Sequence, residues 1–402
     1  MKLNNYSNNW NKINLKDYIE TIESGKRPKG GAVSEGIPSL GGEHIDNSGG
    51  FKVETDKLKY VPVEFYEKMK SGIIRKGDIL VVKDGATTGK VAYVDQEFPL
   101  YEACINEHVF LIRTARELDS KYLCYYLRSS LGQRNMMNDF RGATVGGISK
   151  DFINFNMLLP PLEAQKKIVE VLEKAEMALE KRKETISLVD ELVRSRFIEM
   201  FGDPVSNPME WDKKKLAEEC NIITGNTPSR KVDEYYGDYI EWIKSDNITD
   251  AGIYLTAARE FLSEEGLRVG RSIGVDSILM TCIAGSIKCI GNVAITNRKV
   301  TFNQQINGIE PLKNNVYFMF QQFNLSQKYI QSTINMSLKG ILSKGQLSEL
   351  EFIFPPIEKQ NEFAEFFKQI DKLKFEMEES LKELENNFSS LMQSAFKGEL
   401  IN

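Results

Sequence analysis

One segment that occurs twice constrains this chain more than any other feature. Leu158-Leu159-Pro160-Pro161-Leu162-Glu163-Ala164-Gln165 returns without a gap as Ile353-Phe354-Pro355-Pro356-Ile357-Glu358-Lys359-Gln360, at an offset of 195 residues. In each copy an apolar, strand-like run enters two prolines, which have no N–H to extend a ladder and so end it. A long stretch without proline or glycine follows, closed by Gly202 in the first copy and Gly398 in the second, where glycine is a natural helix stop. Its heptad positions alternate steps of four and three, apolar except where Arg or Lys interrupts each seam. Ile168, Leu172, Ala175, Leu179, Arg182, Ile186, Val189, Val193, Arg196 and Met200 match, at the same offset of 195, Phe363, Phe367, Ile370, Lys374, Met377, Leu381, Leu384, Phe388, Leu391 and Ala395. A seam sustained over about five heptads predicts coiled-coil helices, each roughly 60 Å long, packed on one another. Helices of that length would act as a ruler.

The segments before the helices also repeat, more loosely. Ser24-Gly25-Lys26-Arg27-Pro28 faces Thr224-Gly225-Asn226-Thr227-Pro228, and Ile37 to Ile45 lies opposite Ile240 to Ile248. Gly77-Asp78-Ile79-Leu80 pairs with Val275-Asp276-Ser277-Ile278-Leu279 across a one-residue gap. Gly89-Lys90-Val91-Ala92 pairs with Gly291-Asn292-Val293-Ala294, and Asn106-Glu107-His108 with Asn303-Gln304-Gln305. Short β-branched runs broken by Gly and Asp read as strands and turns, and Tyr122 to Leu131 and Val316 to Gln327 read as one helix near the end of each copy. The stretches between these anchors, such as Ser48 to Ser71 against Asp250 to Arg271, differ in sequence and length. The scaffold repeats while its contents differ.

Chemistry is conspicuous by the motifs that fail. Gly85-Ala86-Thr87-Thr88-Gly89-Lys90-Val91 has too few residues between its glycines for a phosphate-binding loop and no Ser or Thr after the lysine. Pro160-Pro161 and Pro355-Pro356 lack the aromatic that a DNA amino-methyltransferase clamp requires, and no Glu-x-Lys triplet of the kind nucleases use occurs in the chain. The 402 residues hold 2 histidines and 5 cysteines. Cys104, Cys124, Cys220, Cys282 and Cys289 include no Cys-x-x-Cys pair, so they are expected to be core residues rather than zinc ligands or disulfides. Neither a catalytic nor a metal site is expected. No apolar run is long enough for a membrane span and the amino terminus lacks a secretory apolar core, so a cytoplasmic location is expected. A net charge of -5 is no footprint of phosphate binding. The acidity is concentrated in the last helix, however, and the other segments are near neutral. The helical carboxylates Glu170, Glu173 and Glu180 read as solvated-face residues.

The order and duplication of these features resemble the DNA-specificity subunit of type I restriction-modification enzymes. The resemblance rests on the two Pro-Pro-(Leu/Ile)-Glu-x-Gln segments with their heptad helices, on Thr224 to Pro228 followed by Tyr239-Ile240-Glu241-Trp242-Ile243, and on the terminal Ala395-Phe396-Lys397-Gly398-Glu399-Leu400. It covers essentially the whole chain. One departure is that the second copy lacks a glycine at the place of Gly77, so a different turn is expected there.

The resemblance implies an α+β protein: two globular mixed α/β target-recognition domains, separated by two long antiparallel coiled-coil helices, with internal pseudo-twofold symmetry. Expected boundaries are 1–159 for the first domain, 160–202 for the central helix, 203–354 for the second domain and 355–402 for the distal helix. Ile168, Leu172, Ile186, Val193, Phe363, Phe367, Leu381 and Phe388 would form the spacer seam. Such a subunit has no catalysis of its own. It reads a bipartite, asymmetric site on double-stranded DNA and docks two methyltransferase (modification) subunits, which motor-nuclease (restriction) subunits join. S-adenosylmethionine, ATP and Mg2+ are expected in those partners and no cofactor in this chain. Candidate DNA contacts are Lys26, Arg27, Lys29, Lys83, Thr87, Thr88 and Arg141 in the first copy, and Arg230, Lys231, Ser286, Lys288, Lys339 and Lys344 in the second. Phosphate contacts fix register and base-edge contacts specify, and the basic clusters at Lys26 and Arg230 are expected to do the former. The alternatives are a specificity subunit of another restriction or methylation system, or a coiled-coil scaffold that does not bind DNA.

Overall fold

The computed structural model describes residues 10–53, 58–142, 146–334 and 340–400. They divide into two compact units, Met1–Lys183 with Glu379–Asn402, and Glu184–Glu378. Each unit thus owns one end of both long helices, Leu162–Phe201 and Ile357–Lys397.

Three sheets recur in the two units, one of them widened in the second unit by the strands Tyr236–Gly237 and Ser272–Ile273. In the first, Ile19–Ser24, Val109–Thr114, Ile79–Val82 and Val91–Tyr93 form an antiparallel sheet in that spatial order. In the second, Cys220–Thr224, Ile306–Pro311, Ser277–Thr281 and Val293–Thr296 take the same places. Ile79, Leu80, Val81 and Val82 are all buried, because both faces of this sheet are covered. That is why the run is continuously apolar instead of alternating. A second sheet pairs Ile37–Leu40 with Lys59–Val61 antiparallel and with Cys104–Ile105 parallel. Its counterpart pairs Ile240–Ile243 with Phe261–Leu262 antiparallel and with Val300–Phe302 parallel. Two-stranded ribbons, Asn11–Asn14 with Asn156–Leu159 and Lys213–Lys215 with Glu351–Ile353, deliver the chain into the double prolines.

The repeated Gln of the proline motif proves to be a fastener. Gln165 is fully buried; its Nε2 donates to the carbonyls of Pro160 at 2.9 Å and Glu117 at 3.0 Å, and its Oε1 accepts from Asp119 N at 2.8 Å. Gln360 repeats the arrangement with Pro355 O at 2.8 Å, Asn314 Oδ1 at 2.9 Å and Asn315 N at 2.9 Å. One amide thereby ties the long helix to the start of the short helix in the same unit, and a buried amide kept this fully bonded is costly to remove.

The long helices run antiparallel where they meet inside each unit. In the second, Asp190 meets Lys374 at 2.6 Å and Arg196 meets Glu362 at 3.0 Å; in the first, Lys183 meets Glu385 at 3.5 Å. Ile168, Leu172, Phe363 and Phe367 are buried, and Ile186, Val193, Leu381 and Phe388 are half-buried. The seam shifts at the far end of each helix. There the buried residues are Phe197 and Phe201 rather than Arg196 and Met200 in the first helix, and Met392 and Phe396 beside Ala395 in the second. These pairs are again 195 residues apart. The shift follows from the partner: the helix end faces a globular core in place of one narrow helix. Phe197 stacks on Phe318 at 5.4 Å and meets Phe363 edge-on at 5.3 Å. Phe396 meets the edges of Tyr122 and Tyr126, each at 5.3 Å.

Three further expectations are corrected. The helix expected from Tyr122 to Leu131 is two helices, Ser120–Arg128 and Ser130–Met137, hinged at Ser129, whose hydroxyl caps the second. Val316–Leu325 and Gln327–Ser332 are likewise separated at Ser326. The turn at Gly77 does not differ in the second unit. Gly77 N donates to Val94 O and Asp276 N to Thr296 O, so Asp276 takes the glycine's place. Both are left-handed, with φ of 92° and 56°, a conformation that Asp tolerates better than most side chains. Glu173 is not a merely solvated carboxylate, since it pairs with Lys121 on the adjacent short helix.

Cys104, Cys124, Cys220 and Cys282 are buried as expected, whereas Cys289 is half-buried. Burial pushes the thiols of Cys220 and Cys282 up to about 12 and that of Cys104 to about 11, so none of these three is a thiolate near neutrality. No helix is long and apolar enough to cross a membrane among the described residues, and these hold no group of three potential His, Cys, Asp or Glu metal ligands.

Candidate nucleic-acid interface

Strand register decides which loops share an end of the sheet. Ser24 pairs with Phe110, Val82 with Val109 and Val81 with Val91. The loops starting at Gly25, Lys83 and Asn106 therefore leave from one end, and Asp84 bridges to Gly147, bringing the segment after Arg141 to the same place. In the second unit, Thr224 pairs with Asn307, Thr281 with Ile306 and Met280 with Val293, while Ile283 bridges to Ile341. The described candidates, scattered over more than a hundred positions of sequence in each unit, thus converge on one loop cluster per unit.

Glycine makes the convergence possible. A Cβ on Gly25 would lie 2.1 Å from Asn106 O, and one on Gly225 would lie 2.2 Å from Asn303 O. No side chain fits, because the neighbouring loop's backbone occupies the space. The Asn of that loop, 106 or 303, bends it by accepting from the backbone N–H two residues on, at 2.9 Å and 3.0 Å.

The first cluster is a network of charges. Lys26, Arg27 and Lys29 are exposed, with Arg27 3.7 Å from Glu107. Lys83 is half-buried, 5.5 Å from the Phe110 ring centre, 3.5 Å from Ser24 Oγ and 4.0 Å from Asp84. Thr87 lies over Gly42, where a Cβ would come within 2.5 Å of its hydroxyl, and Thr88 donates to Gly85 O at 2.7 Å. That turn joins two antiparallel strands and opens no helix, unlike a phosphate-binding loop. Arg141 is exposed and 3.0 Å from Asp139.

In the second cluster Arg230 lies with its Cζ 4.3 Å from the Tyr236 ring centre and 5.1 Å from that of Trp242, and Nη2 donates to Glu260 at 2.5 Å. Lys231, Lys288 and Lys344 are exposed. Ser286 caps a short turn by accepting from Lys288 N at 3.3 Å. Lys339 lies outside the described residues.

Several participants escaped sequence reasoning. His108 Nδ1 meets Asp84 Oδ1 at 2.5 Å, and Lys59 meets Glu43 at 3.3 Å. Lys244 meets the same Glu260 carboxylate as Arg230. The ammonium of Lys244 first, then the guanidinium of Arg230, hold Glu260 below the usual carboxylate range. The alignment of Asn106-Glu107-His108 with Asn303-Gln304-Gln305 was the available signal for His108; nothing local marks the others.

Comparisons with known proteins agree with this duplicated architecture. A family model described as the type I restriction modification DNA specificity domain matches twice, at residues 7–188 and 208–386. The putative type I restriction enzyme MjaX specificity subunit of Methanocaldococcus jannaschii is 23% identical over 390 residues, 90% of this chain and 87% of that one. The MjaIX specificity subunit of the same organism is 28% identical over 173 residues, 41% of this chain and only 39% of that relative's length. A solved structure concerned with complex assembly and conformational transition of the type I R-M system matches over 100% of both chains, with a TM-score of 0.63 at 18% identity, a likeness of fold. With two copies of the model covering most of its length, the chain belongs to the type I restriction-modification DNA specificity family.

Proposed function

We propose that this chain is the DNA sequence-specificity subunit of a type I restriction-modification complex. Each unit reads one half of a bipartite, asymmetric site on double-stranded DNA with its loop cluster, and the long helices dock two methyltransferase subunits, to which motor-nuclease subunits bind. The chain itself is non-catalytic. S-adenosylmethionine, ATP and Mg2+ act in the partner subunits, and the assembly works on cytoplasmic DNA.

The observation that carries this reading is the duplicated loop cluster. In both units the four segments at one end of the same sheet hold exposed cations beside amides and hydroxyls, which suits phosphate positioning together with base-edge readout. Because the loops differ between the units, the half-sites should differ too. The test is co-expression with a methyltransferase subunit of a type I system, followed by sequencing of methylated adenines. The expected result is one motif of two unlike halves with a fixed gap, and no methylation by this chain alone. Methylation by the purified single chain would overturn the reading.

A further inference from the structure

The two loop clusters present their cations differently, and one cation is held rigidly. Arg230 follows the Thr224-Gly225-Asn226-Thr227-Pro228 loop, which is pinned from two sides. Trp242 Nε1 donates to Asn226 O at 3.2 Å and the Tyr236 hydroxyl donates to Pro228 O at 2.6 Å. The same two aromatics, 6.1 Å apart and edge to face, carry the guanidinium on their rings. Glu260 anchors it through Nη2. Trp242 itself is 3% exposed, so the platform is part of the core, whereas the Arg230 side chain is 55% exposed.

A guanidinium has five N–H donors in a planar fork. A single acceptor on Nη2 occupies one edge of that fork and leaves the other edge free. Stacking on aromatics removes the rotamer freedom that an arginine otherwise loses on binding. The result is a pre-oriented two-donor edge, which matches the O6 and N7 acceptors of guanine in the major groove. A phosphate contact needs no such fixing, and the exposed lysines of both clusters serve it without an aromatic support.

Among the described residues, the matching positions of the first unit hold nothing comparable. The register that sets Ile37 opposite Val61 and Ile240 opposite Leu262 places Ser39 at the position of Trp242 and Lys59 at that of Glu260. Gly30 stands where Arg230 does, five residues after Gly25 as Arg230 is after Gly225.

We infer that Arg230 is a base-reading residue of the second unit, its stacked guanidinium taking the major-groove edge of one guanine in the second half-site. This inference rests on the proposed DNA-reading function. It departs from the expectation that the basic cluster at Arg230 merely positions the backbone.

The test is the methylated motif of the full complex carrying Arg230→Lys, Arg230→Ala or Glu260→Gln, read by sequencing and by methylation rates on duplexes altered one base pair at a time. Arg230→Lys keeps the charge and loses the fork. The expected result for both arginine variants is relaxed discrimination, on the order of 10-fold or more, at a single G·C pair of the second half-site, with the first half-site unchanged. Glu260→Gln keeps the arginine and weakens its anchor, so it should relax the same base pair less, and it provides an independent reading if an arginine variant folds poorly. A uniform loss of rate with the motif intact, or no change in any variant, would overturn the inference while leaving the DNA-reading function standing. A parent complex that methylates no bipartite site would instead overturn the function on which the inference depends.

Discussion

The loop clusters of the two units are built on one hydrogen-bond plan, with ionic pairs in the first replaced by neutral ones at the matching positions of the second. Lys83 N donates to His108 O, and Cys282 N to Gln305 O; Gly25 N donates to Val109 O, and Gly225 N to Ile306 O. On this register Arg27, Lys83, Asp84, Glu107 and His108 of the first unit stand where the second has Thr227, Cys282, Ile283, Gln304 and Gln305. The Arg27–Glu107 ion pair becomes a Thr227 hydroxyl donating to Gln304, and the His108–Asp84 pair gives way to Asn303 donating to Gln305 at 3.1 Å. Geometry is conserved while charge is exchanged. A specificity scaffold gains from this separation, because the residues that shape a loop can be swapped between ionic and neutral pairs without moving the strands beneath.

The comparison can be broken first at the cores. Phe197 and Met392 occupy equivalent helix positions in the second and first units. Phe197→Ala should cost about 3–5 kcal/mol and Met392→Ala about 2 kcal/mol, with the loss read by denaturant unfolding and localised by hydrogen exchange to the unit that holds the side chain. Equal losses would mean that the two helix ends are packed alike despite the aromatic cluster around Phe197.

Acid stability offers a second contrast. The Arg298 hydrogen bond first, against an opposing effect of burial, holds Glu241 below its ordinary value of 4.5, and Pro38 occupies the equivalent place in the first unit. A carboxylate with a depressed pKa contributes stability above its unfolded value, and this is lost as pH falls through the folded value. Glu241→Gln should therefore remove on the order of 1 kcal/mol from the second unit at neutral pH and flatten its loss of stability below about pH 4.5. The first unit should respond to neither change. Unfolding followed from pH 7 to 3 checks this, and an unaltered acid profile would refute the role given to Glu241.

The smallest effect concerns salt. If Arg27 meets a phosphate, Arg27→Ala should reduce the slope of log affinity against log salt by about 1, roughly fourfold in affinity between 50 and 200 mM. Thr227→Ala should leave the slope unchanged. Titrations of the assembled complex over that range decide it, and matching slopes for the two variants would show that the charge exchange has no electrostatic consequence for binding.

Much of this was legible in the residues. The duplicated proline motif located both helices, and the glycines at 25, 85, 89 and 225 located the loops, because backbone constraints of that kind are local. The cluster members were harder. Lys83 reads as a candidate DNA contact, yet it is half-buried near Phe110. The partners of Arg230 lie 6, 12 and 30 residues further along the chain, and no periodicity connects them. The turn at Asp276 was misread because an alignment scores residue types, whereas the left-handed backbone accepts Gly and Asp alike.

The sequence by itself determined that this protein is one unit used twice, with two heptad helices each opened by a repeated double-proline motif and no catalytic motif, since periodicity, prolines and glycines act within a few residues of themselves. Only the tertiary structure decided that each unit is completed by the distant end of the other helix, so that Lys183 finds Glu385 and Phe396 finds Tyr122. It also decided which loop cations are spent on neighbouring carboxylates and which remain exposed. The physical reason is the same in both cases. Burial and ion pairing depend on distances in space, and a chain that folds back on itself brings together residues whose order in sequence carries no trace of the meeting.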